Sequence, residues 1–137
     1  MARFIGLKPF PALPVIEFET AGGLMDLHNM ADLGDLTISP QRSTLTIRFV
    51  HYGKLRGSDA ESHAVELEFG EIRDLKMELP ADYEPRAAET LEFIVHREVS
   101  GPSYFDIDMG DVKCTLAAET LTLRVSDVNC PIDGHPS

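Results

Sequence analysis

The segment Ser43–Gly53, with the sequence STLTIRFVHYG, constrains the fold more than any other part of the chain. Apolar and polar residues alternate along it, so successive side chains are expected on opposite sides of an extended backbone. Its β-branched and aromatic residues also favour a strand. The segment therefore predicts an antiparallel strand with one buried and one solvated face. The buried face is expected to hold Leu45, Ile47 and Phe49, and the solvated face Thr44, Thr46 and Arg48.

Comparable alternation recurs to the end of the chain and predicts an all-β fold. We expect a single-domain antiparallel β-sandwich or flattened barrel of about eight or nine strands over residues 1–137, with at most one short helix near residues 24–31. A chain of 137 residues can bury a core that needs no disulfide or metal. The other segments expected as strands are Val15–Thr20, Leu33–Ser39, His63–Phe69, Glu89–Val99, Tyr104–Met109, Val112–Leu116 and Glu119–Ser126.

The same alternation assigns residues of the C-terminal half to the interior or to the surface. In the Glu89–Val99 segment it puts Ile94 and His96 on outward positions. Cys114 takes an inward position, as a small core residue. The residues expected to face inward are Leu91, Phe93, Val95, Val99, Phe105, Ile107, Met109, Val112, Cys114, Leu116, Leu121, Leu123 and Val125.

The two ends of the chain differ from its middle. Residues 1–14 contain Pro9, Pro11 and Pro14, and proline cannot donate a hydrogen bond to a sheet. This stretch is therefore expected to be an extended arm or an edge segment, whose apolar residues need cover from the same chain or from a second subunit. Residues 127–137 are rich in Asp, Asn, Gly and Pro and are expected to form an irregular tail.

The chain is strongly acidic, with 12 Lys+Arg against 23 Asp+Glu and a formal net charge of -11. Such a surface repels phosphate backbones and anionic lipids, which argues against nucleic-acid and membrane binding and favours a basic partner. The N-terminal stretch lacks the unbroken apolar run of a signal peptide, and no segment reaches the roughly 18 apolar residues of a membrane span. We therefore expect a cytoplasmic protein with reduced thiols, although the spacing leaves a disulfide between Cys114 and Cys130 open.

Carboxylates near the end of the chain come nearest to a metal site. Alternate strand residues put Asp106 and Asp108 on one face, with Asp111 close by, and hard cations require several convergent oxygens. The spacing is not that of a calcium-binding loop, and the alternative is a solvated outer face whose acids discourage edge pairing. The histidines show no ligand spacing either, so no metal and no cofactor are expected. They are His28, His51, His63, His96 and His135.

Motifs for catalysis are missing from the sequence, which has no serine elbow, no catalytic cysteine signature and no phosphate-binding glycine loop. An enzyme is therefore not expected. Two alternatives to a protein-binding module stay open. The first is a barrel or sandwich that holds a small apolar ligand, and the second, less favoured, is a hydrolase that uses Asp106, Asp108 or a histidine. The ligand cavity would be lined by Phe49, Phe69, Phe93 and Phe105.

Four outward positions carry apolar or aromatic residues: Val50, Tyr52, Ile94 and Tyr104. If their strands are neighbours, these residues form a patch, and contiguous exposed apolar area often marks a partner site. We predict that the patch binds another protein or a second copy of the chain, as in a homodimer. The alternative is that the arm of residues 1–14, or a short helix, covers it within the same chain.

The run Leu27-His28-Asn29-Met30 and the two strands after it resemble small bacterial all-β proteins of uncharacterised families. Some of these are classed with the immunity proteins of polymorphic toxin systems. Their Leu-His-Asp-Ala-like start differs here, because Asn29 and Met30 stand in place of Asp and Ala. The resemblance implies a protein-binding or inhibitory module over residues 24–126 and carries over no catalytic residue. The segments that fit are Leu36–Ile38, Thr44–Phe49, Val65–Ile72 and Cys114–Val125.

Overall fold

The computed structural model describes residues 2–53, 55, 60–85, 89–98 and 101–127, and within them the fold is all-β, as predicted. It contains eleven strands, more than the eight or nine expected, and the segments not expected as separate strands are those at residues 3–5, 23–26 and 73–78. No helix occurs in the described residues. The strands are β1 Arg3–Ile5, β2 Glu17–Thr20, β3 Gly23–Asp26, β4 Ala31–Ser39, β5 Thr44–Tyr52, β6 Ser62–Gly70, β7 Arg73–Glu78, β8 Phe93–Glu98, β9 Ser103–Met109, β10 Val112–Ala117 and β11 Thr120–Asp127.

The larger sheet has five strands in the order β1-β11-β6-β5-β4. Strand β5 lies near its centre, and Leu45, Ile47 and Phe49 are 0% exposed, as the alternation predicted. Thr44 was expected on the solvated face but is buried, at the start of β5 where it pairs with Ser39 on one side and Gly70 on the other. A turn at residues 39–42 joins β4 to β5, with the Ser43 N–H donating to the Pro40 carbonyl oxygen at 3.3 Å. All strand pairs of this sheet are antiparallel except β1 with β11, which is parallel.

The second sheet has four strands in the order β7-β10-β9-β8, all antiparallel. Strands β9 and β10 form a tight hairpin, in which Gly110 adopts a φ of 82° that favours glycine. The inward residues of this hairpin are buried as predicted: Phe105, Ile107, Met109, Val112, Cys114 and Leu116. A two-stranded β2–β3 hairpin completes the fold, and its Phe18 and Met25 are buried in the same hydrophobic cluster as residues of both larger sheets.

The inward and outward residues of β8 are the reverse of the prediction. Ile94 is 0% exposed and His96 is buried, while Phe93 and Val95 are half-buried on the opposite face. Three consecutive apolar residues, Phe93, Ile94 and Val95, make the alternation ambiguous in this strand. The tertiary pairing decides between the two settings, because Val15 exchanges two backbone hydrogen bonds with Ile94, each at 3.0 Å. Leu91, just before the strand, is buried as predicted. Val99 lies outside the described residues.

The segment for which a short helix was considered contains β3 and a turn instead. Asp26 ends β3, and its Oδ1 accepts the backbone N–H groups of His28 and Asn29 at 2.8 and 2.7 Å. This Asx turn reverses the chain into β4. Leu27 is fully buried at the turn, so its side chain anchors the turn to the core.

The N-terminal arm is an edge segment, one of the two forms expected for it. Residues Arg3–Ile5 pair with β11 at the edge of the five-stranded sheet. The Ala2 N–H donates to the Ser103 Oγ at 2.8 Å, which ties the arm to the four-stranded sheet as well. Phe4 and Phe10 contact each other edge to face, with ring centroids 5.4 Å apart. The arm therefore bridges the two larger sheets. The tail beyond residue 127 lies outside the described residues.

Candidate functional site

The residues predicted as one interaction patch do not share a surface. They are divided between the two outer faces of the sandwich and its core. Val50 and Tyr52 project from the outer face of the five-stranded sheet, where the Tyr52 hydroxyl donates to Asp32 Oδ2 at 2.9 Å. Tyr104 lies on the outer face of the four-stranded sheet, and Ile94 points into the core. The prediction of a single patch was therefore wrong, because β5 and β8 belong to different sheets. Ile94 is buried within the chain, and its backbone pairs with Val15, just beyond the arm to which the alternative assigned the covering role.

Tyr104 instead belongs to a different surface, which we call the β8–β9 patch. Its apolar members are Phe93, Val95 and Tyr104, all half-buried on the outer face of strands β8 and β9. Phe93 and Val95 are not among the residues that pack against the core, so their exposed atoms belong to the outer surface. The patch also includes Arg97 and Asp106, which pair across the strands with Tyr104 and Val95 respectively.

An ion pair organises the centre of the β8–β9 patch. Arg97 donates to Asp106 through two parallel hydrogen bonds, Nε to Oδ2 at 2.8 Å and Nη2 to Oδ1 at 3.1 Å. Thr115 Oγ1 donates a third to Oδ1 at 3.2 Å. The hydrogen bond to Asp106 raises the pKa of the Arg97 guanidinium, whose Cζ lies 5.7 Å from the centre of the Tyr104 ring. These contacts hold the tyrosine and the arginine in fixed positions on the surface.

A shallow groove of about 480 Å³ runs along the edge of the β8–β9 patch toward β7. Its walls combine apolar, aromatic and charged groups, the mixture that protein interfaces favour. Strand β7 is the edge strand of this sheet, and its Lys76 pairs with Thr115 on the same outer face. The groove is lined by Asp74, Leu75, Lys76, Arg97, Tyr104 and Thr115.

The outer face of the five-stranded sheet has a different composition. Across its central strands, Asp35, Arg48, Glu66 and Arg124 are in register, so opposite charges alternate along a row. Arg124 also donates to Glu68 at 3.1 Å. Cross-strand pairs of this kind stabilise a solvated sheet surface. The two outer faces therefore differ in arrangement. On the five-stranded side, Val50 and Tyr52 lie beyond a row of paired charges. On the four-stranded side, Phe93, Val95 and Tyr104 surround a single ion pair.

The carboxylates considered as metal ligands are committed to other contacts. Asp106 and Asp108 share the outer face, as predicted, but Asp106 is held by Arg97 and Thr115. The Asp108 Oδ1 accepts the Gly110 N–H at 2.9 Å within the β9–β10 turn. Asp111 follows that turn and lies beside a separate polar cleft. Within the part of the chain that is described, no three His, Cys, Asp or Glu side chains converge as metal ligands would.

Two of the histidines face each other inside the sandwich. His51 and His63 occupy opposite positions of β5 and β6, and both are buried. The Nδ1 of His51 has no hydrogen-bond partner among the described residues. Burial lowers the pKa of His51, and the nearby His63 lowers it further, while Asp26 opposes the shift. His51 continues the inward face of β5 after Phe49, and it is buried.

His96 takes part in a buried contact that the sequence analysis missed. Its Nε2 lies 3.1 Å from the Ser103 Oγ, and its ring stacks on Phe105 with centroids 4.9 Å apart. Phe4 and Phe10 contact the same ring edge to face. A histidine beside a serine resembles a nucleophile and its base, but Ser103 is buried and its hydroxyl accepts the Ala2 N–H of the N-terminal arm. The inward position of Ser103, two residues before Phe105, was the signal that could have revealed this contact.

The remaining candidate groups lie apart from the β8–β9 patch. His28 lies near the surface, where its Nδ1 donates to the Leu91 carbonyl oxygen at 2.9 Å. Cys114 is a buried free thiol, and burial raises its pKa to about 11. A thiol of this kind is a poor nucleophile at neutral pH. Cys130 and His135 lie outside the described residues.

Comparisons with protein-family models, curated proteins and solved structures found no match to this chain. Among the residues that the structure covers, no helix has the length and apolar character needed to cross a lipid bilayer.

Proposed function

We propose that this chain is a non-enzymatic protein-binding module and that the β8–β9 patch contacts the partner. The observation that carries the proposal is the difference between the two outer faces of the sandwich. One face has a row of alternating charges with Val50 and Tyr52 at its end. The other presents Phe93, Val95 and Tyr104 around an arginine that an ion pair holds in place. Contiguous apolar side chains on a surface often mark an interaction site, and Phe93, Val95 and Tyr104 are neighbours on the second face.

The chemistry of the β8–β9 patch supports this role. Tyrosine and arginine are the residue types that most often contribute strongly to the binding energy of interfaces. The two hydrogen bonds between Arg97 and Asp106 hold the guanidinium before the partner arrives, so less side-chain entropy is lost on binding. The adjoining groove could accept a side chain from the partner, at a depth that a flat charged sheet surface does not offer.

A basic protein is the partner that the overall charge favours. The net charge of -11 attracts a positively charged molecule at long range and increases its association rate. Two copies of the chain repel each other at the same range, so a homodimer is the alternative outcome of the test. The proposal includes an inhibitory role, as the resemblance to immunity proteins implies, and a cytoplasmic location, which is compatible with the free thiol of Cys114.

The experiment compares two tyrosines on opposite faces of the sandwich. Tyr104→Ala removes the aromatic ring from the β8–β9 patch, and Tyr52→Ala removes one from the charged face. Both variants and the unmodified chain are used as bait in an extract of the source cells. Any retained protein is then purified, and its dissociation constant is measured by calorimetry at two salt concentrations. The self-association of each bait is measured by sedimentation.

We expect Tyr104→Ala to weaken the complex about 30-fold, since a central interface residue contributes on the order of 2 kcal/mol. Tyr52→Ala should leave the dissociation constant unchanged, and added salt should weaken binding to a basic partner. A complex that Tyr104→Ala leaves intact would contradict the proposal. So would a chain that stays monomeric and retains no protein from the extract. If the unmodified chain self-associates and only Tyr104→Ala loses this self-association, the β8–β9 patch is the binding surface but the partner is a second copy of the chain.

A further inference from the structure

Strand β4 is one of the four strands at the edges of the two larger sheets, and its second half has no neighbour on the outer side. The first half is covered, because the Leu33 N–H donates to the Glu89 carbonyl oxygen at 2.6 Å. A register shift between Leu33 and Asp35 separates this half from residues 35–39, which we call the β4 edge. Among the described residues, the β4 edge pairs only with β5, so its other side is open to a further strand.

The other three edge strands carry features that oppose the addition of a strand, and the β4 edge lacks them. Strand β1 has only three residues, and four of the six residues of β7 are charged. Strand β8 is bridged by Val15, which exchanges two backbone hydrogen bonds with Ile94. Short length, charge and cover by another segment are the means by which proteins protect sheet edges. The β4 edge has the sequence DLTIS, with one charge at its first residue and no proline.

The apolar side chains of the β4 edge are incompletely covered. Ile38 is paired with Leu45 on β5, so the two residues share the inward face of the sheet. Leu45 is 0% exposed, but Ile38 is 43% exposed. Leu36, the other inward residue of the β4 edge, is half-buried. One more strand beside β4 would remove this apolar area from water, and burial of apolar area is favourable.

We propose that the β4 edge of one copy pairs with the β4 edge of a second copy, antiparallel about a twofold axis at Thr37, and joins the two five-stranded sheets into one. This register is complementary to itself, as a twofold interface requires. Leu36 of each copy lies opposite Ile38 of the other on the inward face. Asp35 lies opposite Ser39, so no two carboxylates face each other, and Thr37 meets its own counterpart, a favourable cross-strand pair.

Neighbouring registers are less favourable. An axis at Asp35 would set two carboxylates opposite each other, which destabilises a strand pair. An axis at Ser39 would set Ile38 opposite Pro40, which has no N–H to donate to the ladder. The register centred on Thr37 avoids both defects and also covers the exposed side chain of Ile38.

The size and the charge of the two copies determine how strong the pairing is. Five residues per copy form a smaller contact than a standard interface, which buries about 800 Å² per partner, so we expect a dissociation constant of about 100 µM. The net charge of -11 on each copy opposes association at long range, and salt screens this repulsion. Salt should therefore strengthen the dimer, whereas it should weaken the binding of a basic partner.

The first experiment measures self-association by sedimentation equilibrium, at chain concentrations up to about 0.5 mM and at salt concentrations of about 0.05 M and about 0.5 M. Ile38→Lys places a charge on the inward side of the β4 edge. Leu24→Lys is the control, because it makes the same kind of change at an exposed aliphatic residue of β3. Ile38→Lys should weaken the dimer at least about tenfold, while Leu24→Lys leaves the dissociation constant within about twofold.

The second experiment tests the register and does not depend on the folding of Ile38→Lys. Thr37→Cys and Asp35→Cys are each made in a Cys130→Ser background, and the remaining Cys114 is buried. In the proposed dimer the two sulfur atoms at position 37 are directly opposite and within reach of a disulfide. The two at position 35 are four residues apart along the strands, about 13 Å. Mild oxidation should therefore link the Thr37→Cys variant at least about tenfold faster.

A chain that stays monomeric at the highest concentration and salt would overturn the proposal, and so would equal rates of linkage at positions 35 and 37. A protein retained from the extract whose binding Ile38→Lys abolishes, with no self-association, would assign the β4 edge to a strand of that protein instead. The result is separate from the proposal for the β8–β9 patch, because β4 belongs to the other sheet. Tyr104→Ala should self-associate like the unmodified chain.

Discussion

Substitutions at two neighbouring residues of β8 test directly which face of this strand is buried. Ile94 is 0% exposed, and Val95, the next residue, is half-buried on the outer face. Ile94→Ala removes three buried carbon atoms, each worth about 0.8 kcal/mol in transfer free energy, and leaves a cavity that adds to the loss. We therefore expect the free energy of unfolding to fall by about 3–4 kcal/mol. Val95→Ala removes two partly solvated carbons and should cost less than about 1 kcal/mol.

The assay is urea unfolding followed by circular dichroism, with thermal unfolding as a second measurement. For a chain of this size, the loss in Ile94→Ala corresponds to a decrease of about 10 °C in the melting temperature. Ile94→Val serves as an intermediate step and should cost about 1 kcal/mol. If Val95→Ala is the more destabilising of the two alanine variants, the inward face of β8 is the one that the sequence alone suggested, and the structural argument for the β8–β9 patch fails with it.

Three further predictions follow from buried groups. Burial lowers the pKa of His51 and of His96 below the ordinary 6.5, so the unfolded state binds protons at a higher pH than the native state does. In urea titrations, the free energy of unfolding should therefore fall as the pH decreases from about 6.5 toward the lowered pKa values. Replacing both histidines by Leu should flatten this dependence. In a Cys130→Ser variant, Cys114 should react with a thiol reagent at pH 8 only as fast as the protein unfolds, since burial excludes the reagent and raises the pKa to about 11; fast reaction of the native protein would contradict this. Gly6→Ala should lower the free energy of unfolding by more than about 2 kcal/mol in urea titrations. The φ angle of Gly6 is +85°, and a Cβ at this position would overlap a carbonyl oxygen of β11. An unchanged urea midpoint would show that the arm does not pack on β11 as described.

The contact between His96 and Ser103 gives the N-terminal arm a structural role. The Ala2 N–H and the His96 ring meet the same hydroxyl, and Phe4 packs on that ring. A short parallel strand such as β1 contributes few hydrogen bonds of its own. The side-chain contacts of the arm with the four-stranded sheet therefore supply much of what holds it, and they also occupy the groups that could otherwise suggest catalysis.

Strands with strict alternation could be predicted in detail from the sequence. The segments around Ile47, Leu67 and Ile107 each carry apolar residues at every second position, and all of these are buried in the structure. Because side chains alternate between two faces, a strand can bury only one set or the other, and a polar residue at every second position excludes the polar set. The turn before Ser43 was predictable for a similar reason, since proline restricts the local backbone conformation.

The setting of β8 and the candidate site could not be predicted in this way. Phe93, Ile94 and Val95 are all apolar, so either face of the strand could be buried, and only the pairing of Ile94 with Val15 chooses between them. Val125 was expected to be buried, because β11 alternates regularly through it, but it is 43% exposed in an open cleft between β11 and the β2–β3 hairpin. The residue pattern of a single strand does not show which of its inward side chains the neighbouring elements leave exposed.

Strand formation and the apolar face of most strands depend on the order of side chains along one pleated backbone, so both can be read from the sequence. Which strands are neighbours, and so which outward residues share a surface, depends on the tertiary structure. Val50 and Tyr104 are both outward and both apolar in character, yet they lie on opposite faces of the sandwich. Sheet order is set by contacts between distant segments, and those contacts depend on the shape of the whole core rather than on any one segment.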